Sequence, residues 1–140
     1  MPDSRGASPA RSLAALDRGE CLALLATVPV GQVVFHHRAL PEVIPVNFRL
    51  DRDAIVICVA SGSTLARTAD GSVLAFHADR IDDEAARTGW SVTVVGRASE
   101  ILEPSEQVRI AALPLEPWLG DGHDQFFRIA AERVTGRRLG

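Results

Sequence analysis

The chain contains no lysine and no tyrosine, and only 5% of its 140 residues are aromatic. Each absence narrows the chemistry. All 15 basic residues are arginines, so any anion held by a side-chain cation is held by a planar, two-pronged guanidinium suited to phosphate. Without tyrosine there is no phenol to donate a proton, and that task falls to solvent or to His123. Cysteine is scarce as well. Cys21 and Cys58 lie far apart with no CxxC pair, which points to neither a disulfide framework nor a zinc site. Apolar runs such as "AIVICVA" are too short to span a bilayer, so no membrane partner is expected. "MPDSRGASPARS" lacks the apolar core of a secretory signal, which makes the cytoplasm the expected compartment. A net charge of −3 offers no basic excess for nucleic acid. Arg133, Arg137 and Arg138 in "RVTGRRLG" have no stacking aromatics beside them, so no nucleic-acid partner is expected.

What is present belongs to a globular protein. A chain of this length with 46% hydrophobic and 24% charged residues can bury a proper core. Residues 1–12, rich in Pro, Gly, Ser and Ala and without periodicity, read as a disordered tail ahead of one domain over 13–140. Asp17 and Glu20 have capping-box spacing, and Cys21, Leu22, Leu24 and Leu25 give the following helix a buried face, ended by Pro29 and Gly31.

Strands come next. "GQVVF" and "EVIPVNFRL" are joined by a loop through Pro41, and "DRD" turns tightly into "AIVICVA". A short helix follows and stops at Asp70–Gly71. "SVLAFHAD" is a strand, "RIDDEA" an acidic loop and "TGWSVTVVGRASEI" a long strand. "PSEQVRIAAL" reads as a helix, "PLEPWLGDGHD" as a loop and "QFFRIAAERVTGRRL" as a final strand pair. Six or seven strands linked by hairpins and short helices, without βαβ alternation, predict a mainly antiparallel sheet closed into a small barrel.

"VASGSTLARTADGS", residues 59–72, is where chemistry is expected. A helix starting near Ser63 leaves the N–H groups of Ser63, Thr64 and Leu65 facing outward, and its dipole attracts an anion. Ser61, Ser63 and Thr64 add hydroxyls, and Arg67 can swing back toward the same place. The plainer reading is that Ser63 caps a helix and Arg67 is solvated. In "VIPVNFRL", Pro45 cannot donate to a ladder and belongs at an edge or bulge, while Asn47 shares its face and needs a partner. Trp90 begins a strand that also carries Ser91 and Gly96. A Trp there serves as core or interface anchor, and Gly96 suits a close backbone approach. His36 and His37 point to opposite faces and cannot easily share a metal. Asp121, His123 and Asp124 read as a polar turn, so no metal is expected. No nucleophile elbow or Ser/His/Asp set can be assembled.

The order "ECLALL", "VGQVVF", "PEVIPVNF", "GSTL", "TGWSVTVVGRA", "PWLGDGHDQFFRI" and "VTGRRL" resembles the pyridoxamine 5'-phosphate oxidase-like flavin-binding proteins, in their short actinobacterial branch. The resemblance spans residues 13–139. It implies an antiparallel Greek-key split β-barrel with short flanking helices, forming a homodimer with FMN in two interface clefts. It further implies that Pro45, Val46, Asn47 and Phe48 line the flavin ring edge, largely through backbone. Ser61, Ser63, Thr64 and Arg67 would surround the phosphate. Trp90 and Ser91 would come from the partner subunit, with Trp118 near the cleft mouth. Where the family commonly reads Gly-Ser-Lys-Leu, this chain reads Gly62-Ser63-Thr64-Leu65. Thr64 keeps a hydroxyl but loses a charge, and Arg67 is the natural replacement. The expected function is FMN-dependent oxidation or reduction of a small substrate. The alternative is a flavin, deazaflavin or haem carrier without turnover.

Overall fold

The computed structural model describes residues 13–113 and 124–140. The expected tail over 1–12 and most of the loop "PLEPWLGDGHD" lie outside the described residues. Eight strands and three helices follow one another: β1 (Leu13–Ala15), α1 (Arg18–Leu25), β2 (Val30–His37), β3 (Leu40–Asp51), β4 (Ala54–Ala60), α2 (Thr64–Thr68), β5 (Val73–Asp83), β6 (Thr88–Glu100), α3 (Pro104–Ala111), β7 (Asp124–Ala130) and β8 (Arg133–Leu139). Every strand pairing is antiparallel.

The sheet runs β1-β8-β6-β5-β2-β3-β4-β7, and a further β6–β7 pairing closes six of these strands into a ring. β6 makes this possible by changing partners along one edge. Gly89–Val95 pair with β8, whereas Ala98–Glu100 pair with β7. Gly96 marks the changeover, because a Cβ there would overlap the Ala130 carbonyl where the chain leaves β7. The close approach expected at Gly96 is therefore supplied by the protein's own backbone. The barrel is split at β3. Among the described residues, 40–47 pair only with β2, and Phe48–Asp51 pair only with β4. Pro45 sits in the first of these one-sided halves, where a missing donor costs least.

Alternation along the strands fills the barrel. Val33, Phe35, Val46, Phe48, Ile55, Ile57, Phe76, Val92, Val94, Phe127 and Ile129 point inward and are buried. The rings of Phe48 and Phe76 meet at 4.6 Å with a 59° tilt, a geometry that adds about 1 kcal/mol beyond area burial. β4 is buried on both faces. Ile55 and Ile57 face the barrel, whereas Val56 and Cys58 lie in a second core with Ile110 of α3. That explains why "AIVICVA" is continuously apolar rather than alternating. α1 carries the expected reciprocal cap between Asp17 and Glu20 and sends Cys21 and Leu25 into the main core.

Four local expectations differ. Pro41 lies within β3, opposite His36, and the β2–β3 turn is made by Arg38 and Ala39 at φ 53° and 65°. The acidic "RIDDEA" stretch is largely strand, since β5 continues to Asp83 opposite Thr88. α1 ends at Leu25, four residues before Pro29. β1 was not foreseen: three residues are too short for a visible period, and β8 holds them in register.

Candidate functional site

α2 leaves the end of β4 through Ser61 and Gly62 and is one turn long. Its buried residues Leu65 and Ala66, with Ala69, anchor it in the barrel core, which leaves the polar side of the turn outward. Gly62 adopts φ +84°, a conformation open to glycine, with free space where a Cβ would stand. Ser63 caps the helix, accepting from the Ala66 N–H at 3.2 Å. Its own N–H is already taken by the Ala60 carbonyl at 3.2 Å, so of the three amides expected to face outward only those of Thr64 and Leu65 are free of an acceptor by helix geometry. The Arg67 guanidinium swings back, as expected, and donates to the Gly62 carbonyl. A cation therefore rests on the loop that carries Ser61 and Ser63.

The exit of α2 is tied to the far half of β6. Gly71 N–H donates to the Ala98 carbonyl and Ala98 N–H to the Ser72 carbonyl, both at 2.8 Å. The Asp70 carboxylate accepts from Glu100 N–H at 2.8 Å. Pro45 and Asn47 project from the outer side of β3, whereas the side chains of Val46 and Phe48 are core, 3% and 1% exposed. These last two can meet a ligand only through the main chain.

Trp90 and Ser91 lie elsewhere. Trp90 is buried in the chain's own core at 5% exposure, the anchor role foreseen for it, and Ser91 stands between Asp79 and Arg137 on the outer sheet face. Eight residues separate Trp90 from Ala98 along β6, roughly 26 Å at the usual rise per residue. Within one chain the structure does not bring these two residues to α2. Trp118 and His123 lie outside the described residues. No group of three potential metal ligands occurs among the described residues, and among them no helix is long and apolar enough to cross a membrane.

Two polar arrangements were not foreseen. Asp51 binds Arg109 through two contacts of 2.8 and 2.9 Å and Arg128 at 2.6 Å. Glu106 completes the network with both arginines. The Arg109 hydrogen bonds hold the Asp51 carboxyl far below the usual carboxylate range, and those bonds raise Arg109 in turn. This cluster straps α3 to the β3–β4 hairpin and β7. On the outer sheet face, His77 lies 3.1 Å from the Thr93 hydroxyl and 3.3 Å from the Asp79 carboxylate. The i, i+2 spacing of His77 and Asp79 on a strand was the available signal.

The profile of the pyridoxamine 5'-phosphate oxidase family matches residues 17–138. The uncharacterized protein Rv0080 of Mycobacterium tuberculosis is 44% identical over 146 residues, covering 99% of this chain and 94% of that one. A candidate pyridoxamine 5'-phosphate oxidase from Corynebacterium glutamicum superposes with TM-score 0.77 at 28% identity, over 91% of this chain and 93% of that chain. The FAD-binding protein of Mycobacterium smegmatis does so with TM-score 0.76 at 27% identity, over 89% and 96%. With its closed ring, split third strand and family profile, the chain belongs to the pyridoxamine 5'-phosphate oxidase family of split β-barrels.

Proposed function

We propose that the chain is a cytoplasmic FMN-dependent oxidoreductase acting on a small organic substrate, with each flavin shared between two copies of the protein. The observation that carries this reading is the Arg67 guanidinium folded onto the Gly62 loop, where Thr64 has replaced the cation common in relatives. Its planar fork suits a phosphate monoester. Ser61, Ser63 and Thr64 supply hydroxyls, and Thr64 and Leu65 supply main-chain donors. The half of β3 that pairs only with β2 supplies the other proposed contact, together with the adjoining Phe48. There Pro45, Val46, Asn47 and Phe48 would meet the ring edge, with Val46 and Phe48 doing so through backbone alone.

When bound, the flavin supplies the hydride chemistry. The protein's part is to fix the phosphate, align the ring and keep water away. Ser91 and Trp118 serve the last role from the second copy, with Trp90, its side chain buried in its own core, able to take part only through the main chain. The roughly 26 Å between Trp90 and the α2 exit along one β6 favours two copies over one. The FAD-binding relative from M. smegmatis, at 27% identity, favours a flavin as the ligand.

A visible absorbance spectrum followed by an FMN titration read by flavin fluorescence tests the reading. Saturable binding in the micromolar range is expected (about −8 kcal/mol at 1 μM). Arg67→Ala removes a charge-assisted contact of about 1.5–3 kcal/mol and should raise Kd about tenfold or more. A folded, colourless protein that ignores FMN overturns it.

The second reading is a carrier that holds flavin, deazaflavin or haem without turnover. Thr64 in place of the usual lysine favours it, because a weaker phosphate seat suits a ligand that leaves. Bound flavin that is reduced by NADH or NADPH and reoxidised by air decides for the enzyme. Titration with deazaflavin and haem tests the carrier.

A further inference from the structure

We draw no further inference here: the strongest candidate, the cavity of about 270 Å³ between the loop joining α1 to β2 and Arg49 of β3, is lined in part by Phe48 and so belongs to the site already described.

Discussion

Single residues set the affinity and the strain of this molecule. Thr64 is one substitution away from the family's usual cation, and Arg67 already lies across the loop. Thr64→Lys should tighten FMN about tenfold, near the worth of one charge-assisted contact. If Arg67 has taken over the role, Thr64→Lys should also restore affinity in the Arg67→Ala background. Fluorescence titration of the single and double variants measures both effects. Ala39 is the opposite case, a residue in the wrong place. It holds φ 65° in the two-residue β2–β3 turn, a conformation that costs a residue with a Cβ about 1–2 kcal/mol. Ala39→Gly should raise stability by about 1 kcal/mol in urea denaturation. The sequence hid this turn because alanine does not advertise a left-handed position, and Pro41 drew the eye instead. Gly96 was legible: an isolated glycine in an alternating strand signals close backbone contact, and Ala130 supplies it.

At the level of elements, stability is concentrated where α3 meets the barrel. The side chain of Asp51 is 11% exposed and serves two arginines. Because its folded pKa is depressed, its contribution is complete above the unfolded value near 3.9 and is lost as pH falls through the lower, folded one. Stability should therefore drop from about pH 4 downward. Asp51→Asn should flatten that dependence and cost about 1–3 kcal/mol at neutral pH, less than a fully buried pair because Arg109 is 35% exposed. Acid denaturation of both proteins checks it. Nothing in the sequence joined Asp51 to Glu106, Arg109 and Arg128. They meet only through the register of β4 with β7 and the seat of α3. The helices themselves were readable, α1 from Asp17 and Glu20 and α2 from Ser63, since caps are local. The end of β5 was not, because "RIDD" is acidic and only its pairing with Thr88 and Gly89 makes it strand.

At the level of the whole molecule, the proposed cofactor cleft and the proposed dimer are one prediction. If Ser91 reaches the flavin only from the second copy, FMN release on dilution should fall in the same protein-concentration range as dissociation of the dimer. Flavin fluorescence and sedimentation followed on one dilution series measure this. Retention of flavin by a clean monomer would separate them. The barrel was foreseen from antiparallel connectivity alone, but its closure through a strand shared between two neighbours required the three-dimensional register.

The pairing of Leu13 with Leu139 bears on how the protein is made. β1 and α1 leave the ribosome early, yet Leu16 donates to the Gly136 carbonyl and Cys21 packs against Gly136. Their partner strand is translated more than a hundred residues later, a wait of about 6–24 s at roughly 5–20 residues per second. During that interval the apolar side of α1 has no seat. Ribosome-bound chains arrested before β8 should leave the Cys21 thiol open to maleimide, whereas in the released protein it is wholly buried and should resist. Cys58, covered by α3 rather than β8, should already resist in chains arrested after α3 and β7 have emerged.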